Sequence, residues 1–299
     1  MSTESKKNKI SNSALDTYQL CPRKYAFRYK EHLKGDYTST SLLYGSAMDS
    51  ALNYILESIR DKKEWSIETA CNEFDRKMNE WSGQNRLEFF KNEVPEELKD
   101  SIDPDDLTHQ GLVWENICKR GINSLFVYDK EIIPLIEEVL HVQQKFEVKN
   151  EDDDTFTGFI DFIAKLKDGR TVLFDNKTAS AKYKKKAVVD SQQLSFYLEQ
   201  YPQINLAGYI VLIKDPSREK GMTHQILIDE IPELTKSRSF KLLDETMQKI
   251  KNEEFPCNTK GCKAFGKECE YMRACVYGDY GGLISTKKED SIVDNKPKE

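Results

Sequence analysis

An aspartate inside an apolar strand is costly to bury, and this chain places one there. Phe156 to Leu166 is a β-rich apolar run with Asp161 at its centre, where an unpaired charge is strongly disfavoured. A second β-rich run, Arg170 to Lys177, follows across Asp168-Gly169, a strong hairpin signal. It carries Asp175 and Lys177, two positions apart and therefore on one face of a strand. Register decides whether Asp161 joins them. A strict two-residue turn at Asp168-Gly169 sets Asp161 opposite Asn176, on the wrong face for Asp175. A three-residue loop with Gly169 left-handed sets Asp161 opposite Asp175. We expect that loop, which gathers two carboxylates and one ammonium on one hairpin face.

That grouping suits phosphodiester hydrolysis. Paired carboxylates offer hard oxygen ligands to Mg²⁺ or Mn²⁺, and a bound cation polarises a phosphate and acidifies a water. A neighbouring lysine can orient that water and offset developing charge. A plain salt-bridged hairpin, with Lys177 paired to either aspartate, explains these three residues equally well.

Around this segment the pattern changes twice. Ser11 or Ser13 can cap a helix running through Leu15, Tyr18, Tyr25 and Phe27. Leu42, Leu52, Ile55, Leu56 and Ile59 mark one stripe of a helix from Leu42 to Ile59. Residues 66–92 and 107–139 read as helices, with the acidic, proline-containing stretch 93–106 as a loop. Strands are expected at His141 to Val148, Leu206 to Ile213 and Gln225 to Ile231. Helices are expected at 188–200 and at Ser237 to Asn252. The fold class is therefore α/β: a helical part over about 11–140, a sheet-bearing core over about 141–235, and a helix with a cysteine-rich segment over about 236–280. We expect one domain over 1–285, a loose N-terminus and a disordered tail over 286–299.

Composition limits the class. The chain has 299 residues, 38% hydrophobic and 32% charged, with a net charge of −6; its mean hydropathy is −0.68. No stretch approaches the roughly 20 apolar residues of a membrane span. MSTESKKNKI has no apolar region behind its lysines, so a cytoplasmic location is expected. Acidity overall argues mildly against nucleic-acid binding. Basic residues nevertheless cluster at Arg23, Lys24, Arg28 and Lys30, and at Lys182 to Lys186 around Tyr183.

Gly158, Asp161, Asp175, Lys177 and Thr178 form the pattern G-x-I-D, a hairpin, then D-x-K-T. This segment resembles the PD-(D/E)XK superfamily, in particular its RecB-like nuclease domains. These also carry a Q-L-x-x-Y helix, matched by Gln193-Leu-Ser-Phe-Tyr197. Ser13 to Tyr25 resembles the opening helix of iron-sulfur members, and Tyr44 to Asp49 their G-x-x-x-H helix. The chain departs there, because Asp49 stands where the family places a histidine. The resemblance implies a restriction-endonuclease-like core. It implies an Mg²⁺- or Mn²⁺-dependent deoxyribonuclease with Asp161, Asp175, Lys177, Gln193 and Tyr197 catalytic, and Asp49, Asp161 and Asp175 on the metal. A free-standing domain of this size is similar to CRISPR-associated or phage recombination exonucleases. They act on DNA ends, often of single strands, in bacterial or phage-infected cytoplasm. Residues 60–140 carry none of its motifs.

Seven cysteines, an odd number without an export signal, make disulfides improbable. Cys71 and Cys118 lie in helical patterns as ordinary thiols. Cys257, Cys262, Cys269 and Cys275 are denser than chance, and thiolates suit both zinc and iron-sulfur clusters. The resemblance implies a 4Fe–4S cluster on Cys21, Cys262, Cys269 and Cys275, with Cys257 left over. The readings that compete with a nuclease are a catalytically silent DNA-binding or assembly module and a zinc-stapled protein without nuclease activity.

Overall fold

The computed structural model describes residues 9–82, 86–89, 93–94, 107–150 and 153–287. Most of the loop expected at 93–106 and nearly all of the tail fall outside them. The chain divides into two compact units. One holds residues 1–12 and 37–245, the other 13–36 and 246–299.

The first unit is organised by the expected hairpin. β6 (Thr155–Leu166) turns into β7 (Thr171–Ala179). Leu166 N–H donates to Arg170 O at 2.8 Å and Gly169 N–H to Leu166 O at 2.9 Å, with Gly169 at φ +90°. Only a residue without Cβ adopts that geometry freely. The ladder runs from Lys165–Thr171 to Phe162–Phe174, a register that carries Asp161 opposite Asp175, as the three-residue loop requires.

Beyond Phe162 and Phe174 the two strands stop pairing. β7 continues in parallel beside β8 (Leu206–Ile213), while β1 (Lys9–Ser11) pairs in parallel with Thr155 to Thr157 of β6. β5 (Ile136–Lys149) covers the other edge of β6, and β9 (His224–Glu230) the far edge of β8, both antiparallel. The result is a mixed six-stranded sheet. β8 has neighbours on both edges, so Ala207 to Ile213 is buried throughout, and its sequence shows an apolar run rather than alternation.

Helices supply the layer packed on this sheet. α3 (Thr40–Arg60) buries Leu43, Tyr44, Ala47, Met48, Ala51, Leu52, Ile55 and Leu56, the 3.6-residue spacing of an amphipathic helix. α4 (Ile67–Ser82) and α5 (Leu107–Val127) join the same core, where Phe74 meets Tyr44 edge-on at 5.6 Å. Gly121 lets α5 approach, since a Cβ there would stand 2.1 Å from Phe74 Cζ. Gly121→Ala is expected to cost about 1–3 kcal/mol through overpacking. A lower urea midpoint at unchanged m-value would show it, and an unchanged midpoint would contradict this packing.

The second unit joins residues from near both ends of the chain. α1 (Asn12–Leu20) and the short α2 (Pro22–Tyr25) lead into a π-helical turn at Ala26–Lys30. β2 (Leu33–Gly35) pairs antiparallel with β10 (Leu283–Ser285). Phe27 stacks on Tyr271 at 5.2 Å, and Tyr271 Oη donates to Leu33 O at 2.8 Å. α7 (Glu233–Lys251) is divided between the units, and α8 (Met272–Tyr277) lies in the second.

Several expected boundaries move. The first helix breaks at Cys21 because Pro22 starts a new one. The helix expected over 66–92 ends at Ser82, and Arg86–Glu88 is a short strand, β4, paired with β3 (Tyr37–Ser39). The helix expected to reach 139 ends in a 3₁₀ turn at Ile133–Leu135 containing Pro134, and β5 begins at Ile136. The helix expected from 188 starts at Gln192, as α6 (Gln192–Glu199), because Ser191 caps it. Leu42 lies off the apolar stripe and is 64% exposed. Lys9 and Ile10, expected to be loose, form β1 together with Ser11. Among the described residues no helix is long and apolar enough to cross a membrane.

Candidate active site

The site forms where β6 and β7 part. There Asn176 N–H has no strand partner in β6. It donates instead to Asp161 Oδ2 at 2.8 Å, so the carboxylate stands in for a ladder bond. Asp175, 2% exposed, and Lys177 follow on the same face of β7. Lys177 Nζ lies 2.5 Å from Asp175 Oδ2 and donates to Gln193 Oε1 at 3.2 Å.

α6 brings Gln193 and Tyr197 to this pair. Gln193 Nε2 donates to Asp175 Oδ1 at 3.0 Å and to Tyr197 Oη at 2.5 Å. The helix start is pinned, since Ser191 Oγ accepts from Leu194 N–H at 3.1 Å and meets Tyr209 Oη at 2.7 Å. Gln193 thus bridges the lysine and the carboxylate with the two ends of one amide. On α3, Asp49 lies within electrostatic reach of Asp161, Asp175 and Lys177. The six residues singled out for catalysis and metal binding therefore meet in one place.

Electrostatics there are strained. Burial raises the Asp161 pKa well above the usual aspartate value, and the Asp175 and Asp49 charges push it further. Burial raises Asp175 despite the opposing Lys177 ammonium. Asp49 is open to solvent on one side, but desolvation of its carboxyl, and then the Asp175 charge, still raise it against a hydrogen bond from Asn53. Burial alone would lower Lys177; Asp175 and Asp161 outweigh it and hold the ammonium charged.

A carboxyl whose folded pKa is raised contributes stability below the unfolded value of about 3.9, and that contribution is lost as pH rises through the folded value. Metal-free protein at neutral pH should therefore gain from Asp161→Asn, whose side-chain oxygen can still accept from Asn176. We expect a Tm a few degrees higher by calorimetry at pH 7, with the gain fading towards pH 4. A lower Tm at pH 7 would contradict the repulsion.

The cysteines of the second unit also converge. Cys21, at the α1–α2 break, accepts from Asn258 N–H at 3.4 Å, and Asn258 Nδ2 donates to Leu20 O at 2.8 Å. Cys269 N–H donates to Cys262 O at 2.8 Å. Burial, then the nearby Cys257, Cys269 and Cys21, raise the Cys262 thiol. Cys257, outside the expected set of four, lies with its sulfur 3.5 Å from that of Cys275. Among the described residues, no three His, Cys, Asp or Glu side chains are arranged as a finished metal-ligand set.

The sequence matches the family model of the PD-(D/E)XK nuclease superfamily over residues 9–276. The chain belongs to this superfamily. Its mixed sheet flanked by helices is the restriction-endonuclease-like arrangement expected of a PD-(D/E)XK member. No curated protein matches the sequence. A solved structure titled "Crystal structure of SSO0001" is 12% identical, with 78% of this chain and 86% of that chain covered at a TM-score of 0.29. Two polar residues beside this candidate site escaped sequence reasoning. Asn53 and Gln143 hydrogen-bond each other beside Asp49, and no local pattern in VQQKF marks Gln143 as different from its neighbours.

Proposed function

We propose that the chain is a metal-dependent deoxyribonuclease that trims DNA ends, with a preference for single strands, in recombination, repair or phage- and CRISPR-related processing. The observation that carries this reading is Lys177, held charged between Asp175 and Gln193 at the fork where Asp161 replaces a ladder bond.

The donor chemistry fits Mg²⁺ or Mn²⁺. Asp161, Asp175 and Asp49 offer only hard oxygen ligands, and their mutual repulsion is what a cation would relieve. Bound there, the cation would supply phosphate polarisation and a more acidic water. The protein's own groups account for the rest. The Lys177 ammonium, permanently charged, donates to the attacking water or to a non-bridging phosphate oxygen and offsets charge as it grows. Gln193 fixes the direction of that ammonium and of Asp175, and Tyr197 fixes Gln193. Tyr183 has its backbone clamped at both ends by the Gln225 amide, at 2.8 and 3.2 Å, and its ring edge-on to Tyr209 at 5.6 Å. With Lys182 to Lys186 around it, this ring suits base stacking along a tracked single strand.

For the second unit we propose a structural 4Fe–4S cluster on Cys21, Cys262, Cys269 and Cys275, with zinc as the competing metal. Its support is that Cys21 and the C-terminal cysteines share one compact unit. The nuclease reading is tested by cleavage of end-labelled single- and double-stranded DNA with Mn²⁺, comparing the wild type with Lys177→Ala. A wild type inert on both substrates would refute it.

A further inference from the structure

A left-handed residue in the middle of a paired strand needs a reason, because a Cβ makes that conformation strained. Six non-glycine residues have positive φ among those described, and five of them lie outside helices and strands. The sixth is Gln143, at φ +48° within β5. The β5–β6 ladder pairs Val142 with Phe162 and Gln144 with Ile160. That register puts Gln143 directly opposite Asp161. The strain thus sits beside the half-buried carboxylate of the site.

The side chain shows what the strain achieves. Gln143 Nε2 crosses to α3, donating to Asn53 Oδ1 at 3.2 Å and facing Asp49 Oδ1 at a longer 3.5 Å. Asn53, one helical turn after Asp49, hydrogen-bonds the Asp49 carboxylate in turn. The three form a relay from the sheet to the helix: Gln143 to Asn53 to Asp49. Asp49 is the most exposed of the three carboxylates and sits on a different element from the others. Without a tether it has no fixed direction relative to Asp161 and Asp175.

We infer that Gln143 and Asn53 are positioning residues of the cation site, with the left-handed backbone of Gln143 holding its amide where it can aim Asp49. This inference rests on the reading of the three carboxylates as a divalent-cation site. It extends the site to two amides that touch neither cation nor substrate. Outer partners of metal ligands commonly change affinity by about 10–100-fold.

The test separates amide from backbone. Mn²⁺ binding is measured by calorimetry on the full chain without DNA, and Tm on the same metal-free samples. The proteins are wild type, Gln143→Ala, Gln143→Gly and Asn53→Ala. Glycine accepts the left-handed backbone and alanine does not. Gln143→Gly should therefore melt above Gln143→Ala, while both lose Mn²⁺ affinity equally, by about tenfold. Asn53→Ala should lose affinity to a similar extent. If affinity recovers in Gln143→Gly along with Tm, the role is structural and the inference fails, while the cation site stands. If wild type binds no Mn²⁺, or Asp161→Asn binds it as tightly, the cation-site reading itself fails and takes the inference with it.

Discussion

Lys177→Ala is expected to reduce DNA cleavage by at least about a thousandfold, within the range for loss of a positioned acid-base or charge-stabilising group. The size follows from how the ammonium is held. Asp175 Oδ2 lies 2.5 Å away and Gln193 Oε1 accepts at 3.2 Å, so the group is aimed before substrate arrives and costs no reorganisation during reaction. Its pKa is pushed up by Asp175 and Asp161. In the proposed reaction it would therefore act as a charge and a donor across the working pH range, not as a base. Single-turnover rates at saturating Mn²⁺ and DNA should carry the whole loss, while DNA affinity changes little. Lys177→Arg should rescue poorly, because a planar guanidinium cannot take the place of a compact ammonium between Asp175 and Gln193. Removal of Lys177 also leaves Asp175 buried without its counter-charge, so Tm is measured alongside. A variant that folds and still cuts at the wild-type rate would show that the chemistry lies elsewhere on the chain.

The sequence carried the hairpin and its register because both are local. Asp168-Gly169 set the turn, the apolar runs set the faces, and counting residues brought Asp161 to Asp175. Gln193 and Tyr197 were legible as an i, i+4 pair, but only the fold shows that the glutamine amide bridges Asp175 and Lys177. Asp49 was legible through family resemblance and through its place beside the apolar stripe, three before Leu52 and seven before Leu56, but that spacing does not separate an inward-facing aspartate from a surface one. Gln143 was invisible, because its left-handed φ is imposed by long-range pairing across β5 and β6 rather than by glycine or asparagine chemistry. β1 was missed for a related reason. Lys9 to Ser11 has no strand pattern of its own and becomes one by pairing with Thr155 to Thr157. The parting of β6 and β7 is likewise non-local. Near Thr155 to Thr157 the edge of β6 that β7 lines nearer the turn is taken by β1.

Cys21→Ser is expected to have the second large effect, and on the second unit rather than on the sheet. One apolar cluster in that unit has only Phe27, Tyr271 and Ala274 fully buried, with Leu33, Cys269, Cys275 and Leu283 partly so. A unit built from two stretches, 13–36 and 246–299, is small, and small units commonly depend on a staple. The proposed cluster would tie Cys21, near one end of the chain, to Cys262, Cys269 and Cys275 near the other. Its binding energy would then be folding energy for the unit. Losing one thiolate should lower local stability by roughly 3 kcal/mol or more, a hundredfold in amide exchange. The loss should be confined to 13–36 and 246–287, with β6, β7 and β8 still protected. The anaerobically purified wild type should be brown, and the variant pale. Cys257→Ser is the matched control: it removes a sulfur 3.5 Å from Cys275 but not one of the four proposed ligands, and should keep both colour and protection. A colourless wild type holding one zinc would replace iron with zinc at the same thiolates. Full colour and protection in Cys21→Ser would remove Cys21 from the site.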